Sequence, residues 1–161
     1  MRRLRITGFL FVSGFCLIVA PAGVAETSET TVSFNSSVQT EAAQQPSGGY
    51  AVTYPMMFSG GALDGCKGNV AETLYGRDEG AWGVYEVATE VTCDDGGFRY
   101  KSSGAWDENG FKGGGVVIDG SGTGRFEGIA GPIVQLDGTV KPAADDTMDI
   151  GFRMLIDAPS E

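Results

Sequence analysis

The chain has 161 residues, 26 of them glycine, with 21 acidic residues against 11 basic ones and no histidine. The acidic excess argues against nucleic acid, whose phosphates are neutralised by Lys and Arg, and against adhesion to anionic lipid. The missing histidine excludes Ser-His-Asp and Cys-His catalysis, His-ligated zinc and the usual general base near neutral pH.

Residues 1–25 have the three parts of an export signal. Arg2, Arg3 and Arg5 make a positive start, Ile6 to Ala20 is an uncharged and mostly apolar run, and Pro21 to Ala25 closes it with small residues. Gly23 and Ala25 stand where a signal peptidase needs small side chains, so cleavage before Glu26 is expected. The apolar run is short of the ~20 residues that span a bilayer, which disfavours a membrane anchor. Phe15 before Cys16 disfavours lipidation. The mature protein is therefore expected in the periplasm or outside the cell, with no membrane attachment. Losing three arginines leaves it more acidic still. Cys66 and Cys93 remain, and in an oxidising compartment such a pair suggests a disulfide, the alternative being two buried free thiols.

Residues 26–48 are rich in Ser, Thr, Gln, Glu and Ala, with one apolar patch at Val32 to Phe34, and read as a flexible polar spacer. Asn35-Ser36-Ser37 matches a glycosylation sequon. From Gly49 the texture changes, and the domain is set at 49–161. Glycine becomes dense and apolar residues alternate with polar ones, the period of half-buried strands. Tyr50, Val52, Tyr54, Met56 and Phe58 form one stripe. Tyr85, Val87, Val91 and Cys93 form a second, interrupted by Thr89, and Ile150, Phe152, Met154 and Ile156 form a third.

Three turns separate these runs: Asp94 to Gly97, Asp107 to Gly110, and Asp137-Gly138. Pairing outward from the first sets Cys93 opposite Phe98, Val91 opposite Tyr100 and Glu90 opposite Lys101. Short antiparallel strands with glycine-rich turns make an all-β fold, a sandwich or a barrel. Gly113-Gly114-Gly115 before Val116-Val117-Ile118 suits a sharply coiled strand and favours a small antiparallel barrel of about eight strands.

The run Gly120-Ser121-Gly122-Thr123-Gly124-Arg125-Phe126-Glu127-Gly128-Ile129-Ala130-Gly131 resembles the Gly-Thr-Gly-x-Phe/Leu-x-Gly-x-x-Gly segment of the allene oxide cyclase-like barrels. That group includes dirigent proteins, bacterial cyclases and a bacterial family of unknown function with a Gly-Ser-Gly-Thr-Gly run. The resemblance implies a closed barrel with an apolar interior, closing strands near 132–140 and 148–157, and, in the enzymes of the group, catalysis largely by shaping a bound substrate.

The glycine run is not a phosphate loop, because it lacks the Gly-Lys-Ser/Thr ending and the dinucleotide spacing. The acidic turns Asp107 to Gly110 and Asp145-Asp146 lack the spaced ligands of a calcium loop. No metal or cofactor is expected. Glu72 is the candidate catalytic carboxylate. On the Val70–Leu74 stripe it would enter the lumen with a raised pKa, whereas the register favoured here puts Ala71, Thr73 and Tyr75 inside and Glu72 in solvent. Glu86 and Glu90 are expected to face water. Tyr54, Met56, Phe58, Tyr85, Tyr100 and Phe152 are the candidate ligand-lining residues. The leading expectation is a barrel that holds a small apolar or amphipathic molecule. A cofactor-free cyclase or isomerase and a non-catalytic structural or interaction domain follow, and the oligomeric state is left open.

Overall fold

A computed structural model describes residues 25–77, 82–143 and 148–159. Residues 1–24 and the acidic pair Asp145-Asp146, for which the sequence raised expectations, lie outside the described residues. The chain runs through β1 (Ala25–Asn35), β2 (Ala43–Gln44), β3 (Tyr50–Ser59), β4 (Lys67–Arg77), β5 (Trp82–Cys93), β6 (Gly96–Asp107), β7 (Gly110–Val117), β8 (Thr123–Gly124), β9 (Pro132–Pro142) and β10 (Met148–Pro159). The eight long strands form a closed antiparallel barrel. Strands β3 to β10 make an up-and-down meander in sequence order, with β2 and β8 as short additions. β1 completes the circle by pairing with β10 along its whole length and with β3 over Thr31 to Ser33.

This corrects the spacer expected over 26–48. Over Ala25–Asn35 that segment is the closing strand, and beyond it come a 3-10 turn at Ser36–Val38, the two residues of β2 and irregular chain. The side chains explain why it looks like a leader. Thr30 and Val32 are buried and Phe34 packs on the core, while Glu29, Thr31 and Ser33 alternate outward. The inward half of the strand includes a threonine, so its stripe is short and polar, yet β-branched residues suit a pleated, half-buried strand. Asn35 is a cap in this arrangement. Its side chain accepts from the Ser37 backbone N–H and donates to Asp149.

The three apolar stripes lie on β3, β5 and β10 and point inward. Val52, Tyr54, Met56 and Phe58 are buried, as are Phe152, Met154 and Ile156, and Thr89 is buried between Tyr85 and Val91. Tyr50, at the start of β3, is exposed. Glu86 and Glu90 face outward.

Two turn expectations change. The β5–β6 hairpin turns on Asp94-Asp95 alone, so Cys93 faces Gly96, Val91 faces Phe98, Glu90 faces Arg99 and Thr89 faces Tyr100. The shift is even, so each residue keeps its side of the sheet. Gly96 and Gly97 are needed elsewhere, because β8 pairs with them and a Cβ on Gly96 would lie 2.1 Å from the Thr123 carbonyl oxygen. Asp137-Gly138 is no turn either. β9 runs straight through it as a bulge, with the registers to β7 and β10 shifting there. Asp137 takes φ 49°, a left-handed conformation that Asp tolerates better than most residues. Arg153, from β10, donates to the Asp137 carboxylate and to Glu29 across the outer surface. The Asp107–Gly110 turn is as expected, with Trp106 facing Phe111.

The two ends of the barrel differ. At the end holding the β3–β4 and β5–β6 turns, residues 118–131 cross the opening and bury Phe126 and Ile129. Phe98 packs on Phe126 with ring centroids 5.2 Å apart. Arg125 holds the crossing in place, with its guanidinium donating to the Ala62 carbonyl at 2.8 Å and pairing with Asp95. The glycine-rich run is thus a plug between β7 and the closing strands, which span Pro132–Pro142 and Met148–Pro159. A Cys66–Cys93 disulfide joins the start of β4 to the end of β5 at the same end.

Candidate functional site

The opposite half of the barrel is hollow. A cavity of about 570 Å³ opens between the ends of β1, β4, β6 and β9, and its depth is set by Met56, Val70 and Tyr100. Of the candidate ligand-lining residues, Tyr54, Met56, Tyr85, Tyr100 and Phe152 line it. Phe58 does not reach it. Two residues further along β3 it points into the plugged half, 1% exposed, against the position of Gly68.

Glu72 enters the cavity, which corrects the solvent-facing register favoured from sequence. It faces Val52 on one side and Val87 on the other, so all three share the inward row, and Ala71 is exposed instead. The Tyr54 hydroxyl donates to Glu72 Oε2 at 2.8 Å. Burial pushes the Glu72 carboxyl above the ordinary carboxylate range, and the bond from Tyr54 offsets part of that shift. Burial also raises the Tyr54 phenol, and the neighbouring Glu72 charge raises it further. Tyr54 is held by stacking on Phe34, with ring centroids 4.1 Å apart.

A second polar pair stands across the lumen. The Tyr85 hydroxyl donates to Gln135 Oε1 at 2.7 Å, and Gln135 is 5% exposed. The two residues belong to one row that crosses four strands, Tyr85–Gly104–Gly113–Gln135. The glycines leave the floor that the tyrosine lies on: a Cβ on Gly113 would sit 2.5 Å from the Tyr85 hydroxyl oxygen. Phe111 meets Tyr85 and Phe152 edge-on, at 6.1 and 5.5 Å between centroids. Burial pushes the Tyr100 phenol up to about 12. Sequence reading missed Phe34, Phe111 and Gln135. The signal for Gln135 was its place two residues after buried Ile133, and for Phe34 its place two after Val32.

Among the described residues, no group of three or more Cys, Asp or Glu side chains could hold a metal ion. The cavity presents an apolar, largely aromatic wall, one inner carboxyl held by a phenol, one amide held by a second phenol, and the acidic side chains Asp107 and Glu108 at its mouth. No protein-family model, curated protein or solved structure matches this chain.

The raised Glu72 pKa has a sign that can be tested. The folded state binds this proton more tightly than the unfolded chain, so the contribution is fully present below the unfolded value near 4.5. It is lost as pH rises from there through the folded value. Glu72→Gln keeps an acceptor for Tyr54 and removes the charge. The variant is expected to melt a few degrees above the parent at pH 8, with the gap closing by pH 4. Thermal melts of both across that range check it, and a constant gap would mean that Glu72 does not titrate in the lumen.

Proposed function

We propose that this chain is an exported β-barrel that binds one small apolar or amphipathic molecule in its lumen. The observation that carries the reading is a blind cavity. One end of the barrel is sealed by the plug at 118–131, and the other holds about 570 Å³ of space walled by aromatic side chains. Sites for small molecules are commonly about 300–1,000 Å³, apolar, with a few convergent polar groups. A purely structural barrel gains more by filling such space with side chains. The three-part segment at 1–25 supports export, and a disulfide suits an oxidising compartment.

The neutral probe N-phenyl-1-naphthylamine tests the binding reading. It is expected to brighten on adding the exported, mature protein, and Leu74→Trp, which places an indole at the mouth, should weaken it by about tenfold or more, roughly 1.4 kcal/mol. A parent protein that neither brightens the probe nor carries a small molecule in its native mass spectrum would overturn the reading.

The Tyr54–Glu72 pair favours a second reading, a cofactor-free cyclase or isomerase of the kind that the Gly120–Gly131 resemblance suggests. A carboxyl whose pKa is raised by burial and a phenol bonded to it could move a proton on a bound substrate. Turnover lost in both Glu72→Gln and Tyr54→Phe, with probe binding kept, is the result this reading requires.

A further inference from the structure

We infer that the ligand of this lumen is an organic cation: a protonated amine or quaternary ammonium group carried on an apolar body. The inference rests on the lumen being a binding site and adds the charge of what it takes. Among the described residues, the charges on the cavity wall all have one sign. Glu72 stands inside and Asp107 and Glu108 stand at the mouth, while no Lys or Arg is among the described residues that line it. Among the described lining residues, a carboxylate ligand would meet three acidic groups and no basic partner. A neutral apolar ligand would gain nothing from Glu72, whose carboxyl costs free energy to bury.

The aromatic groups fit the same cargo. Tyr54, stacked on Phe34, and the edge-to-face set of Tyr85, Phe111 and Phe152 surround the space next to Glu72. Ring faces attract an ammonium group, most strongly where water is excluded, and a cage of rings with a carboxylate beside it is a general solution for binding one. The Glu72 carboxylate is half satisfied by the protein: Oε2 accepts from Tyr54, and no described residue donates to Oε1. An ammonium N–H, or the positive methyl shell of a quaternary ammonium, would supply what that oxygen lacks. The strongly acidic chain would draw such a ligand in from a distance.

Three probes sharing one apolar body separate the alternatives: 1-naphthylmethylamine, 1-naphthalenemethanol and 1-naphthoate, each titrated by calorimetry at neutral pH into the exported, mature protein. The ammonium is expected to bind about tenfold tighter than the alcohol, with the carboxylate weakest. Glu72→Gln should cut the advantage over the alcohol to about threefold or less while leaving the alcohol's affinity in place. Glu108→Gln, at an exposed turn position that cannot endanger the fold, should lower the ammonium's affinity by a smaller factor that vanishes at high salt. An alcohol or carboxylate that binds as tightly as the ammonium overturns the inference and leaves the lumen a binding site. Failure of all three to bind overturns the binding reading as well.

Discussion

Reduction of the Cys66–Cys93 bridge is expected to lower the stability of the barrel by about 3–4 kcal/mol, read as a drop in the urea midpoint. The two cysteines are 27 residues apart in sequence, and in the chain-entropy description a loop of that size removes this much freedom from the unfolded chain. The native geometry gives little back on opening. Lys67 and Thr92 already face each other one step inside the bridge, and the β4–β5 ladder runs on from there to Arg77 and Trp82. The folded state can therefore persist without the bond, and the cost falls on the unfolded side. Cys66 is 1% exposed and belongs to the core cluster with Phe58 and Leu63, so a Cys66→Ser/Cys93→Ser double variant adds the burial of a hydroxyl. The reduced parent, which keeps both sulfurs, isolates the cross-link. A change below about 1 kcal/mol on reduction would show that the unfolded chain is already held together near these residues. Because the bridge lies at the plugged end, naphthylamine affinity should survive reduction wherever the barrel is still folded.

The same distinction between ends shows what the sequence could disclose. The stripes on β3, β5 and β10 were legible because each alternates over four or more residues against polar neighbours, and nothing but a half-buried strand produces that period. β1 was not. Its inward positions carry Thr30 beside Val32 and Phe34, and its strand character comes from partners 114 or more residues away on β10. Turn chemistry misled twice for one reason. Glycine marks a hairpin tip, but it also marks a place where another backbone comes close, and Gly96-Gly97 serves β8 while Gly138 packs against Phe111. The face of Glu72 was a choice between two registers one residue apart. Both stripes through 70–75 contain apolar residues, and only pairing with β3 and β5 selects the one holding Val70 and Leu74. Composition argues that a carboxylate belongs outside. Tyr54, a partner 18 residues away, is what makes it tolerable inside.

Gly113→Ala should cost about 3 kcal/mol, at the upper end for overpacking, because the added methyl has nowhere to go. It would sit 2.3 Å from the Ser103 carbonyl oxygen, which is backbone and cannot rotate aside, and 2.5 Å from the Tyr85 hydroxyl. The second contact can be removed separately. Tyr85→Phe takes away the hydroxyl and leaves Gln135 Oε1 without its donor, a cost of about 1–3 kcal/mol for a buried acceptor. In the double variant part of the methyl's conflict is already gone, so the two costs should fall short of additive by about 1 kcal/mol in urea melts. Full additivity would mean that Tyr85 does not lie across Gly104 and Gly113 to reach Gln135. The cycle also has a functional readout. A methyl at 113 drives the Tyr85 ring off the sheet and into the lumen, so probe affinity should fall in Gly113→Ala and recover partly once the hydroxyl is removed. Glycine at this position therefore serves the cavity as much as the curvature of β7: it keeps the tyrosine flat against the wall, and the space in front of that wall is what a ligand would occupy.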